Sequence, residues 1–211
     1  MITAIIPHYF EEREENLRRI VHSYKTTGVS EVIIWDNTGS LVMSDAIVIN
    51  SPRNIGCKGR FLAALTATND ILLFQDNDLL LEPKAIEHML SRLNNNIVTL
   101  DGRKFYDDKW YTNSEHVIRP DHDRLVHISL ARAEMMDKKT FMSVFITQYF
   151  DQMEMDDIWL SWLANTLSID IVVPAHKEGC GFINLDEKGV GASAKPNHYE
   201  TRNELCKRLF K

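Results

Sequence analysis

The chain has 211 residues, 44% of them hydrophobic and 26% charged, and a formal net charge of −6. This is ordinary globular material, long enough for one large domain with a sizeable core. The acidic balance and the lack of a basic stripe exclude a nucleic-acid binder that works through phosphates, and no apolar run reaches the roughly 20 residues of a membrane span.

From the N-terminus, "ITAII" (2–6) reads as a buried strand ending at Pro7. No basic segment precedes it, so it is not a signal peptide. Leu17, Ile20, Val21 and Tyr24 recur at helical spacing and predict an amphipathic helix over 13–26. "EVIIW" (31–35) is a second strand, stopped by the turn-forming Asp36-Asn37-Thr38-Gly39, and "AIVIN" (46–50) is a third. Phe61, Ala64 and Leu65 mark a helix over 58–68, and "ILLF" (71–74) a fourth strand. Glu82-Pro83 opens a helix with Ile86, Met89, Leu90 and Leu93 on one face, and "IVTL" (97–100) is a fifth strand.

The second half is less regular. Residues 101–124 read as loops or short antiparallel strands, "LVHISL" (125–130) as a strand, 138–149 and 156–167 as helices, and "IDIVVP" (169–174) as a last strand. Residues 179–199 carry Gly179, Gly181, Gly189 and Gly191 and read as a loop. Cys57, Cys180 and Cys206 are far apart with no Cys-x-x-Cys, which argues against disulfides or zinc and for a reducing, cytoplasmic setting.

Strands that alternate with helices predict an α/β fold: a Rossmann-like, mainly parallel sheet flanked by helices, with a small antiparallel element in the second half. A single domain over 1–211 is expected. Ligands bind such sheets at the carboxyl ends of the strands. That rule gathers Pro7-His8-Tyr9, Asp36-Asn37 and Asp76-Asn77-Asp78 on one edge.

"FQDND" (74–78) places acids between two apolar runs, although charged groups are rarely buried without a partner. A turn rich in Asp and Asn is one explanation. A calcium loop is not, because its sixth position needs glycine and is Leu81 here. The functional alternative is an Asp-x-Asp clamp for Mn²⁺ or Mg²⁺, with strand alternation putting Asp76 and Asp78 on one side.

These segments resemble a family. "AIIPHYFEEREENLRRIVHSY", "VIIWDN", "RNIGCKGRF", "LLFQDND" and "MDDIWLSW" look, in order and rough spacing, like the nucleotide-sugar glycosyltransferases of the GT-A fold that open on Pro-x-Tyr-x-Glu. "MDDI" and "HYETRNELC" are also similar to the exostosin-like branch, with its acid-Asp-Ile and His-x-x-x-Arg motifs. The lack of a membrane anchor departs from that branch and implies a cytosolic enzyme of microbial or viral origin. The resemblance covers nearly the whole chain. It implies a metal-dependent transferase that moves a sugar from a UDP-sugar, with UDP-glucose the first donor to try, to a hydroxyl on a glycan. Residues 1–100 would bind the nucleotide, and 101–211 the acceptor and the catalytic groups.

By that resemblance Pro7, His8 and Tyr9 line the nucleoside pocket, Glu11 matches the strand-end acid, and Asp36 accepts a hydrogen bond from the base. Asn54 and Arg60 form the Asn…Arg pair before the metal motif. Asp76 and Asn77 face the ribose, Asp78 holds the metal with Asp76 in support, and His198 touches the diphosphate or the metal. Arg202 meets the leaving phosphate. His176 is a second candidate for the role of His198.

Read as residues, His198 and Arg202 are four apart and share a face if helical. Asp156 and Asp157 suit a helix N-terminus, or a general base that takes the acceptor's proton. The resemblance favours Asp157 as base, with Asp156 beside it. Trp159 and Trp162 read as core, and Trp110 as an acceptor contact. A nucleotidyltransferase is the competing enzyme, but "PHYFEER" lacks its glycine-rich basic loop. A non-catalytic sugar-nucleotide-binding module is the competing non-enzyme.

Overall fold

The computed structural model describes residues 1–106, 110–145, 155–185 and 196–210. The main sheet holds β1 (Ile2–His8), β2 (Val29–Asp36), β3 (Ile47–Asn50), β4 (Ile71–Gln75), β6 (Ile97–Thr99), β9 (Arg124–Val126), β11 (Ala133–Asp137) and β12 (Ile171–Val173). Their order is β3-β2-β1-β4-β11-β6-β12-β9. All run one way except β11 and β9. A second, antiparallel sheet joins β10 (Ile128–Ser129), β7 (Asp101–Lys104) and β8 (Glu115–Ile118). A two-stranded ribbon joins β5 (Leu79–Leu81) to β13 (Phe182–Asn184).

Alternation along the strands loads both faces of the main sheet. Ile5, Leu72 and Phe74 point to one side, and Ala4, Ile6 and Leu73 to the other. The first side is covered by α2 (Gly59–Leu65), α4 (Lys138–Val144) and α5 (Asp156–Thr166) through Phe61, Phe141 and Trp159. The second is covered by α1 (Glu14–Ser23) and α3 (Ala85–Leu90) through Leu17, Ile20, Ile86 and Met89. Phe61 meets Phe74 edge-on, ring centroids 5.8 Å apart. Truncating a buried ring of this kind costs on the order of 3–5 kcal/mol. The last helix, α6 (His198–Leu209), packs on α5 and on the turn at Tyr111–Asn113.

The predicted α/β architecture with its small antiparallel element is what folds. Several elements differ from the sequence reading. "LVHISL" breaks at His127 into β9 and β10, which belong to different sheets. Strand β13 lies in a stretch read as loop, and β5 in one read as a simple return to the core. Gly189, Gly191 and residues 146–149 of the expected fourth helix lie outside the described residues. Strand β11 was not expected at all: "AEMMD" carries Glu134 within a strand that is buried on both faces.

Tight packing aims the loop that follows β3. Ser51 N–H donates to Asp36 C=O (2.8 Å), and Ile55 N–H to Asn37 Oδ1 (2.9 Å). At the start of α2, a Cβ on Gly59 would lie 2.3 Å from the Trp35 ring, so only glycine lets the helix sit this close to β2. That seating brings Arg60 to the sheet edge.

Candidate functional site

A cavity of about 760 Å³ opens where β4 ends and β11 begins. Four segments wall it: the 53–60 loop and helix start, Asp76 with Leu130 and Ala131, Met155 to Asp157 at the start of α5, and the start of α6. Of the residues singled out from sequence, Asn54, Arg60, Asp76, Asp156, Asp157, His198 and Arg202 all line it. Helix α6 presents His198, Thr201 and Arg202 to the cavity as one face, as their spacing requires.

Arg60 organises the floor and is 2% exposed. Its Nη2 lies 3.2 Å from Asp76 Oδ1, and its Nε 3.2 Å from Asp156 Oδ2. The Nη1 donates to Ala131 C=O at 2.9 Å, and the Nε to Cys57 C=O at 3.2 Å. The Asp156 contact is therefore an ion pair out of line with the N–H, and Asp156 Oδ2 has no hydrogen bond. Burial pushes the Asp76 carboxyl up to about 7, against the pull of Arg60, and raises Asp156 in the same way. The Cys57 thiol on the wall is pushed up to about 11 by burial, which keeps it a thiol and no nucleophile.

A second ion pair sits beside the first. Arg202 Nη2 donates to Asp157 Oδ2, and both side chains are nearly buried. The Arg202 guanidinium also lies 4.2 Å from the centre of the Tyr111 ring, where Arg103 packs at 4.3 Å. Tyr111 thus fixes the group that fixes Asp157. A cation–π contact of this kind is worth about 0.5–2 kcal/mol. We expect Tyr111→Leu to lower kcat by about tenfold, roughly 1.4 kcal/mol, while Tyr111→Phe stays near wild type. Steady-state kinetics of the two variants checks this.

The other expected site residues lie elsewhere. Asp36 is buried, with its oxygens taken by Thr38 N–H, Thr38 Oγ1 and Leu41 N–H at 2.7–2.9 Å; it holds its own turn. His8 is buried against Asn77 (3.2 Å), and burial lowers its pKa. Pro7 pairs within the sheet opposite Trp35, and Glu11 is exposed near Ser40. Tyr9 sits behind the wall, its hydroxyl buried among Cys57, Arg60 and Asp156. His176 lines a separate small cavity with His88 and Cys180. Trp110 stacks on Lys207 of α6, and Trp159 is core, as expected.

Asp76, Asp78 and His198 do not assemble, and among the described residues no group of three or more His, Cys, Asp or Glu stands ready to hold a metal. The cause is local. Strand β4 ends at Gln75, so alternation does not carry through 76–78. Asp76 turns to Arg60, while Asp78 Oδ2 turns to Arg13 Nη1 at 3.1 Å and its Oδ1 is buried without a partner. The same Arg13 nitrogen donates to Asn77 Oδ1 at 3.1 Å. These residues, as placed, do not fit a divalent metal.

Sequence reasoning placed Arg13 only as the first residue of a helix and missed that it is buried, 4% exposed. The signal was there: one cation among four acids, on the turn that leaves β1. It also missed Lys58 and Ala131 on the cavity wall.

The family described as Glycosyl transferase family 2 matches residues 3–153. The chain belongs to glycosyl transferase family 2. Its mainly parallel sheet flanked by helices is consistent with the GT-A fold. Among solved structures, the family 2 chain is similar to S. aureus TarS 1-349, crystallised in complex with UDP-GlcNAc. The TM-score is 0.58 at 13% identity, over 92% of this chain and 61% of that one, so the likeness is one of fold. The chain spans less than two thirds of that structure's length. A comparison with curated proteins found no match. In this family 2 domain no described helix is long and apolar enough to cross a membrane.

Proposed function

We propose that this cavity binds a UDP-sugar and transfers the sugar to an acceptor hydroxyl, with Asp157 as general base. The observation that carries the reading is the pairing of Asp157 with Arg202 on the wall of the cavity. Arg202 holds the Asp157 carboxylate in place while occupying one of its two oxygens, which leaves the other for an acceptor hydroxyl.

In the proposed step, the acceptor O–H gives its proton to Asp157 as the oxygen attacks the anomeric carbon. The bond from that carbon to the diphosphate breaks, and negative charge develops on the leaving phosphate. Arg202 and His198 on α6, with Lys58 and Arg60 across the cavity, are the cations and donors placed to offset it. Asn54 accepts from Gly56 N–H (2.8 Å), which shapes the loop where the nucleotide would lie. Because the acids at hand do not form a metal set, no step is drawn through a metal. A glycan hydroxyl remains the acceptor class proposed.

A donor screen tests this. UDP-glucose, the first sequence-based expectation, and UDP-GlcNAc, which the TarS structure holds, are incubated with the protein and followed by proton and phosphorus NMR, with and without Mn²⁺. We expect release of UDP from one donor and a product whose anomer reads the stereochemistry. Binding without turnover would make the domain a sugar-nucleotide receptor, and binding of no nucleotide sugar at millimolar concentration would overturn the reading.

A further inference from the structure

Strand β11 lies between β4 and β6, and Glu134 is its second residue, opposite Phe74 on one side and Thr99 on the other. Its side chain is fully buried, and neither carboxylate oxygen has a hydrogen bond. Nothing in the transfer step uses it. A charge held there without a partner is costly, so the proton is retained unless something repays its loss. The ionisable groups that face it are Arg60 from α2 and Asp156 and Asp157 from α5; the Ser129 hydroxyl faces it from β10. Glu134 is thus a third acid behind a pair that share two arginines.

Its neighbours connect it to the cavity by two routes. The first is direct: an ionised Glu134 attracts Arg60, the guanidinium that holds Asp76 and Asp156. The second runs through Ser129. Its Oγ donates to Thr99 Oγ1 (3.0 Å) and accepts from Ala131 N–H (3.1 Å). Ala131 adopts φ +54°, a left-handed conformation that a residue with a side chain keeps only when held there, and its carbonyl receives Arg60 Nη1. A carboxylate is a stronger acceptor than a threonine hydroxyl, so ionised Glu134 draws the Ser129 proton from Thr99 and loosens this turn.

We propose that Glu134 is a positioning residue of the transfer site: uncharged, it leaves Arg60 to Asp76 and Asp156, and when it ionises it withdraws Arg60 and dismantles the donor wall. Burial sets the range, pushing its carboxyl up to about 7. The site is therefore assembled on the acid side of neutrality and falls apart on the alkaline side. This rests on the proposed transfer reaction, but the buried charge has a consequence that does not.

The experiment compares wild type with Glu134→Gln and Glu134→Met, both of similar size and permanently neutral. Two quantities are followed from pH 5 to pH 9: donor KM and kcat, and the urea midpoint. A carboxyl whose pKa is raised by folding costs stability progressively from its unfolded value up to its folded value. Wild type should therefore lose midpoint between about pH 4.5 and 7, relative to either variant. Wild-type donor KM should rise about tenfold per pH unit above neutrality with kcat changing less, while the variants should lose most of that rise and keep only the part owed to Asp76, whose carboxyl burial also pushes up to about 7. The methionine variant keeps the test sound if the buried amide of glutamine unfolds the protein. If both variants share the wild-type alkaline limb, the proposal is overturned. If wild type turns over no nucleotide sugar yet the stability profiles diverge, the transfer reading has failed and the buried acid stands.

Discussion

Asp157→Asn should lower kcat by about two to four orders of magnitude, with donor binding largely kept. Asparagine has the same shape and can still accept from Arg202, so the wall keeps its form; what goes is the ability to take a proton. Loss of the neighbour has a different signature. Asp156→Asn leaves Asp157 and Arg202 paired but frees Arg60 from one acid, so it should raise donor KM and spare most of kcat. The two variants are told apart by full kinetics at saturating donor, with circular dichroism to confirm the fold. Turnover of Asp157→Asn within tenfold of wild type would remove the base assignment.

The second large effect is on stability. Arg60→Gln should destabilise the protein by about 3–5 kcal/mol, because it strips the partner at once from the buried Asp156 and the partly buried Asp76. For a chain of this size that is a fall in Tm on the order of 10 °C. The deficit has a pH signature. Both acids already sit above their usual range through burial, and without Arg60 they rise further. Groups raised on folding give their best stability at low pH and lose it as pH climbs through the folded value. The gap between variant and wild type should therefore widen from pH 5 to pH 8 in calorimetric scans. A constant gap would mean that Arg60 acts by packing alone.

The parts of the fold legible in the sequence are those with a clean period and a clear stop. Strands β1, β2, β3 and β4 are apolar runs with polar stops, β1 running one residue past Pro7 to His8, and α1 has its stripe at Leu17, Ile20 and Val21. Strand β11 was hidden because Glu134 breaks its apolar run, and only the buried surroundings let that acid stay uncharged. The site followed the same logic. Arg60, Asp156, Asp157, His198 and Arg202 were readable as chemistry-bearing residues at the starts of helices. The side on which Asp78 lies was not readable, because strand alternation stops at Gln75 and a turn hands Asp78 to Arg13. The turn role of Asp36 is plain in three backbone and hydroxyl donors within reach of its two oxygens.

Strand β11 has a consequence for how the chain is made. It is synthesised after β4 and β6 but must fit between them. Until residue 137 emerges from the ribosome, "ILLF" and "IVT" offer their unpaired backbones to any passing strand. The N-terminal half can assemble from neighbouring segments, whereas the sheet closes only by a late, long-range insertion, the slow kind of step. The acid within that inserting strand is charged in the unfolded chain at neutral pH, which keeps "AEMMD" from sticking to itself while it waits.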